Sequence, residues 1–444
     1  MALFQYFFLP IIRISFTFVA DNIEIAGMSQ YSNSRLIAWI ISIFMLLPFG
    51  RLFSARQDVY ASATTSLSLP ATKSSPDIPP TEQLTFPDSV AMAAPEAAGR
   101  SVASLVAYMK QYLKTEDQLA RAIYTWVSRN IKYNVYITYT PKSEETDEAK
   151  EIQKILSERK GVCQEYTLIF KTLVQEAGME AYIINGYNRQ NGTLLPDPHQ
   201  WCAVRIEGKW YMFDPTWGAG FVEDYKFVPS PNHRFCKLPS DTLLKTHMPF
   251  DPLFQFRERP LTYEEFDTGT YDEQRSVPVF YWRDSLALYT RQDTLQRLVN
   301  ARQRILANGK SNDLVYYTLE LTSQNIRVAG IRKVLTAYNT AMNLLGESAD
   351  AINKFIQYRN KAFEPKKEDE EIQKMVDVPE RLISRADSII NTIHSAPDRY
   401  REQILELRDQ IMEVATTVYK HKLFLRQYFK LPEKQRKGLF KQTK

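Results

Sequence analysis

The stretch that most limits how this chain can fold is residues 199–214, HQWCAVRIEGKWYMFD. Two runs rich in β-branched and aromatic residues flank Glu207 and Gly208, the residue types of a two-residue hairpin turn. Such a turn sets Ile206 opposite Lys209, and counting back along both strands sets Trp201 opposite Asp214. His199, two residues before Trp201, shares that face and lies diagonal to Asp214, roughly 7 Å away between backbones, which side chains can bridge. A turn at Gly208 and Lys209 keeps the same parity. Cys202 falls on the other face beside Val204 and Ile206 and reads as core.

Upstream, Cys163 stands where a helical pattern begins. Ile169, Phe170, Leu173 and Val174 recur at helical spacing, and Gly178 is placed to end the helix in the left-handed conformation. A helix N-terminus favours a thiolate. A lone cysteine is more often a small buried apolar residue, and the paired histidine and aspartate are what make Cys163 a candidate nucleophile. A thiol enzyme needs a thiol, an imidazole and a group that orients the imidazole. Cys163, His199 and Asp214 supply them in that chain order. No metal or cofactor is expected: there is no CxxC, His199, His233, His247, His394 and His421 lack ligand spacing such as HExxH, and no acidic loop suggests calcium.

The rest of the chain reads as delivery and support. Residues 1–55 hold an apolar run, Leu36 to Gly50, with Arg35 and Arg51 at its ends, the size of a signal-peptide core, and Met28 is an alternative start. They are expected to be a signal peptide or membrane anchor, with the protein exported to the periplasm or cell envelope. Residues 56–97, rich in Ala, Ser, Thr and Pro, are expected to be a flexible linker. Residues 98–275 form the expected catalytic domain. The three cysteines cannot make a disulfide framework; whether Cys236 is free or paired with Cys202 stays open.

From about Trp282 the texture becomes helical. Ile404, Leu407, Ile411, Val414, Val418, His421, Leu425 and Tyr428 alternate by three and four, Leu382, Ala386, Ile389 and Ile393 repeat the spacing, and SAPDR at 395–399 marks a turn. Residues 276–444 are therefore expected to be an all-α helical bundle or hairpin domain with a basic tail, a platform for a protein or envelope partner. His421 reads as a seam residue. Of the net charge of +5, residues 420–444 supply nine Lys or Arg against Glu433 alone, so the remainder is near neutral and no nucleic-acid partner is expected.

GVCQEYTLIFKTLVQEAGMEAYIINGY followed by HQWCAVRIEGKWYMFDPTWG resembles the core of the transglutaminase-like superfamily, with its G-x-C helix, H-x-W strand and D-P-T-W strand end. The upstream AIYTWVSRNIKY is similar to the helix before that core, and KTHMPFDPLFQF with LTYEEF resembles the following segment in the kyphoscoliosis peptidase subgroup. The resemblance covers roughly residues 98–267. It implies an α+β, papain-like fold with the cysteine helix packed on an antiparallel sheet. It also implies acyl transfer at amides, with Cys163 as nucleophile, His199 as general base and acid, and Asp214 as orienting carboxylate. Attack by water would make a peptidase or amidase acting on protein or peptide; attack by an amine, a cross-linking enzyme. A non-catalytic protein-binding scaffold is the alternative from another class. Candidates for the oxyanion hole or cleft walls are Trp126, by its distance upstream of Cys163, with Trp201, Trp217 and His247.

Overall fold

The computed structural model describes residues 83–136, 147–272 and 278–440, in two compact units, 83–326 and 327–440. The expected signal or anchor and residues 56–82 of the expected linker lie outside the described residues. Among the described residues no helix is long and apolar enough to cross a membrane.

The first unit opens with helices α1 (Phe86–Met92), α2 (Val102–Tyr112) and α3 (Glu116–Asn130). A short parallel pair, β1 (Lys132–Tyr133) with β2 (Lys160–Gly161), brackets α4 (Glu148–Glu158) and leads into α5 (Cys163–Glu176). Then come β3 (Ala181–Gln190), β4 (Thr193–Ile206), β5 (Lys209–Phe213), the small hairpin of β6 (Gly220–Glu223) and β7 (Lys226–Pro229), α6 (Ser240–Leu243), β8 (His247–Pro249) and α7 (Tyr263–Thr268). Strands β5, β4, β3 and β8 pair antiparallel in that spatial order.

The β4–β5 register runs from Ile206 opposite Lys209 to Cys202 opposite Phe213. Glu207 and Gly208 both have positive φ, 48° and 79°, the backbone of a type I′ turn, whose twist matches that of the strands. Helix α5 lies on one face of this sheet. Its Thr167 hydroxyl donates to Gln200 Oε1 at 3.1 Å, the Cys202 thiol meets the Thr167 carbonyl at 3.6 Å, and Phe170 packs on Phe213 with ring centroids 5.2 Å apart. Gln200, Cys202 and Phe213 thus face the helix, which leaves His199, Trp201 and Asp214 for the other face. This cysteine helix on an antiparallel sheet is the papain-like α+β arrangement. At its start the Glu165 carboxylate accepts from the Val162 N–H at 2.8 Å; at its end Gly178, at φ 103°, lets the chain turn back into β3.

Two expectations change. Residues 83–97, counted with the linker, are ordered against the domain: Phe86–Met92 is a helix whose Asp88 accepts from the backbone N–H and hydroxyl of Thr85 at 2.7 and 2.9 Å. Fully buried, Asp88 also takes Arg121, Thr125 and His233, which together outweigh burial and hold its carboxyl well below the usual range. The other is the end of the first unit, which lies past residue 275. Helices α8 (Trp282–Arg291) and α9 (Thr294–Ala307) pack within it, Trp282 edge-on to Phe256 at 5.3 Å and Arg304 forked onto Asp251 with both bonds at 2.7 Å. The texture turns helical near 276 because the last strand, β8, has already ended at Pro249, while the core runs on through Trp282 and Leu286.

The second unit is all-α. It comprises α11 (Asp369–Ile390), α12 (Asp398–Lys430) and the part of α10 (Asp313–Asn360) after residue 326. Its core takes Leu345, Ile352 and Phe355 from α10, and from α12 Ile404, Leu407, Ile411, Val414, Val418 and Leu425, the stripe visible in the sequence. On α11 the buried line is Ile372, Val376, Pro379, Ile383, Ala386 and Ile390, so Leu382 and Ile389 flank the seam instead of filling it. His421 is half-buried against Phe355, and burial lowers its pKa to about 4, with the Arg359 charge adding to the effect.

Candidate active site

Cys163 is the first residue of α5, where backbone N–H groups have no carbonyl a turn earlier to bind and the helix end is electropositive. Its thiol is fully buried. On β4, His199 Nε2 lies 2.8 Å from Asp214 Oδ2. With Nε2 donating to the carboxylate, Nδ1 is the nitrogen left for another partner, and it makes no hydrogen bond. The Cys163 thiol interacts with this ring and raises its proton affinity. The thiol therefore lies close enough to act on the ring, and catalytic pairs of this kind commonly tighten only when substrate binds.

Electrostatics fixes the charge of each partner. Burial pushes the His199 pKa down, but the Asp214 charge and hydrogen bond outweigh it and hold the ring at about 9. It is an imidazolium at neutral pH. Burial pushes Asp214 up, and the charge and hydrogen bonds of His199, with those of His247, bring it well below the carboxylate range. Asp214 has every acceptor direction filled: Oδ1 takes the N–H groups of Thr216 and Trp217 at 2.9 and 3.0 Å, and Oδ2 takes His199 and His247. The D-P-T-W turn at the end of β5 exists to present that oxygen.

His247, on β8, is the second histidine of the site. Its Nε2 is 3.1 Å from Asp214 Oδ2 and its Nδ1 2.8 Å from Thr246 Oγ1. Burial depresses its pKa to about 4, against the pull of Asp214 and with help from the His199 charge. A neutral His247 therefore donates Nε2–H to Asp214 and accepts the Thr246 hydroxyl proton. His199, Asp214 and His247 form a group that could hold a metal ion, with ligand atoms within 4.8 Å of one another. Both Nε2 atoms are engaged by one oxygen, so the group is satisfied as a hydrogen-bonded unit. Only His247, 33 residues from Asp214 on a strand outside the hairpin, lay beyond the reach of hairpin parity.

Trp201 and Trp217 wall this cluster, with ring centroids 6.2 and 5.9 Å from His199 and 5.1 and 4.7 Å from His247. Gly186, opposite His199 in the β3–β4 register, makes room for them: a Cβ there would stand 2.4 Å from Trp201 and 2.2 Å from the Met248 carbonyl. Trp126 is placed differently. It makes no ring contact with the cluster among the described residues; its indole is covered by the Arg159 guanidinium at 4.4 Å, and Arg159 donates to the Gly99 carbonyl at 2.6 Å. The structure thus gathers Cys163, His199, Asp214, Trp201, Trp217 and His247, and leaves Trp126 at a packing position. It also adds Asn188, paired with His247 across β3 and β8 and fully buried, with neither amide atom hydrogen-bonded. None of the three cysteines is in a disulfide, so Cys202 and Cys236 are not bridged.

A thiol at a helix start beside an imidazole held by a carboxylate, on a papain-like fold, defines the cysteine-enzyme class. Residues 103–215 match the family model of the transglutaminase-like superfamily, which gives the chain a transglutaminase-like domain. Over 223 residues the chain is 25% identical to mouse kyphoscoliosis peptidase, covering 48% of this chain and 32% of that protein, and 24% identical to the human one over the same shares. Lim and transglutaminase domain protein ltd-1 of Caenorhabditis elegans is 22% identical over 249 residues, 49% of this chain and 32% of the relative. The chain thus matches about a third of the length of these relatives. A solved structure described as a cysteine protease from Cytophaga hutchinsonii is similar over 30% of this chain and 43% of its own, at 20% identity and a TM-score of 0.22.

Proposed function

We propose that this protein is a cysteine enzyme that transfers acyl groups at amide bonds, acting as a peptidase or amidase through Cys163, His199 and Asp214. The observation that carries the reading is the pairing of Asp214 with His199 Nε2, which leaves Nδ1 without a hydrogen bond in a ring whose proton affinity the Cys163 thiol raises. In this reading the imidazolium has already taken the thiol proton on Nδ1, and the thiolate sulfur attacks the amide carbon. The tetrahedral oxyanion is met by the Cys163 N–H at the helix end. The imidazolium then protonates the leaving amine, a thioester remains, and water activated by His199 releases the acid. The likeness to kyphoscoliosis peptidase supports hydrolysis over cross-linking, and the buried carboxamide of Asn188 beside His247 suits a substrate amide. The apolar run at 36–50 supports export, which cell fractionation of the tagged full chain would check.

The test is labelling of the native protein by an electrophilic thiol probe at neutral pH, followed by hydrolysis of a mixed peptide pool. Cys163→Ala should abolish the fast labelling and the hydrolysis together. One observation favours the scaffold reading instead: the sulfur has no exposed surface. If Cys163 in the native protein reacts no faster than in denaturant, the enzyme reading is lost. Incorporation of a labelled amine into a glutamine-containing acceptor, with no hydrolysis, would replace the peptidase by a cross-linking enzyme.

A further inference from the structure

Helix α12 buries one stripe in the core of its own unit and exposes a second. Leu405, Met412, Tyr419 and Leu423 are 52%, 64%, 57% and 39% exposed, large apolar side chains on a helix that has already filled its core. They fall on one line of alternating four- and three-residue steps, with Asp409 and Thr416 in the gaps. The same line runs outward through Glu402 and Asp398 toward the N-terminus and through Arg426 and Lys430 toward the C-terminus, all exposed. It is thus acidic at one end, apolar in the middle and basic at the other. Glu402, Arg426 and Lys430 make no ion pair among the described residues, while Asp398 meets only Arg401 of its own helix, at 2.6 Å on the surface.

We propose that this line is an interface with a second copy of the same chain, the two α12 helices lying antiparallel about a twofold axis. One register satisfies every position at once. Asp398 meets Lys430 of the other copy, Glu402 meets Arg426, Leu405 meets Leu423, Asp409 meets the hydroxyl-bearing ring of Tyr419, and Met412 meets Thr416. Each pair joins an a-type to a d-type position, the layering of an antiparallel coiled coil, and a mean step of 3.5 residues keeps the seam facing its partner. A parallel pairing would set Glu402 on Glu402 and Arg426 on Arg426, like charges face to face. The surface is self-complementary in one orientation only, the property an isologous dimer requires.

The experiment is sedimentation equilibrium on the full chain over about two decades of concentration, up to roughly 100 μM. The wild type should pass from monomer to dimer. Arg426→Glu should weaken association at least about tenfold by opposing Glu402 of the partner copy. The double variant Glu402→Lys with Arg426→Glu restores opposite charges across the interface and should recover the wild-type constant to within about threefold. Circular dichroism melts of all three check that these exposed changes leave the fold intact. A wild type that stays monomeric overturns the proposal, as does a dimer indifferent to Arg426→Glu or one the double variant fails to rescue.

Discussion

Asp214 decides which nitrogen of His199 keeps its proton whenever the ring is neutral. Its Oδ1 must accept two backbone N–H groups, so any replacement has to keep a carbonyl there. In Asp214→Asn that leaves an NH2 group facing the two imidazoles. Both rings must then carry their proton on Nδ1. His247 can do so by donating to Thr246; His199 does so by pointing a proton at the thiol it ought to deprotonate. The variant is therefore expected to fold with little change in melting midpoint and to lose roughly a thousandfold or more in the hydrolysis and Cys163 labelling rates. A variant of near wild-type rate would show that Asp214 does not set the tautomer. At this scale the sequence was most legible where parity governs: the face shared by His199 and Asp214 follows from turn length alone. It was least legible for His247 and Gly186, because β8 pairs with β3 some 60 residues earlier in the chain, and no local pattern encodes that neighbour.

Short elements show how a tertiary partner overrides composition. Helix α1 is seven residues long, too short to persist in water alone, in a segment whose Ala and Pro content reads as linker. It is held because Asp88 is the hub of a buried network reaching Arg121, Thr125 and His233 on other elements. Thr85 followed three residues later by Asp88 was the available sign, a helix-start motif that only its buried partners make decisive. Asp88→Ala removes the carboxylate that balances the Arg121 charge and should cost about 3–5 kcal/mol in denaturant unfolding, more than any surface pair would. A loss below about 1 kcal/mol would mean the network adds little beyond solvent contacts. The long helices were easier to see, since on α12 a stripe of six buried apolar residues outweighs every local accident. On α11 the expected stripe is right at Ala386, and Ile393 just beyond the helix is buried as expected, but Ile383 and Ile390 take the seam that Leu382 and Ile389 only flank, two neighbouring apolar lines competing for it.

For the molecule as a whole, the two site histidines act on stability from opposite sides of neutrality. A histidine is expected near 6.5 in the unfolded chain. His199, held at about 9, contributes stability that is fully present below about 6.5 and lost as pH rises through 9. His247, at about 4, contributes stability that is present above about 6.5 and lost as pH falls toward 4. Melting midpoints should accordingly peak near pH 6.5. In His247→Gln, which can still donate to Asp214, the decline on the acid side should flatten while the alkaline decline persists; an unchanged acid limb would remove His247 as its cause. The reach of the first unit beyond residue 275 belongs to this scale too. Helices α8 and α9 read as part of a helical domain by texture, yet Trp282 and Arg304 tie them to Phe256 and Asp251, partners that only the folded chain reveals.

The hairpin of β4 and β5 carries one more implication, for how such a gene can change length. Between His199 and Asp214, gaining or losing a single residue within either strand would turn the histidine or the carboxylate toward α5 and drive a residue such as Cys202 out of the core. Gains or losses in pairs keep both on the same side. Relatives that retain this site should therefore differ there by even numbers of residues, or place the odd one in a bulge that restores the count.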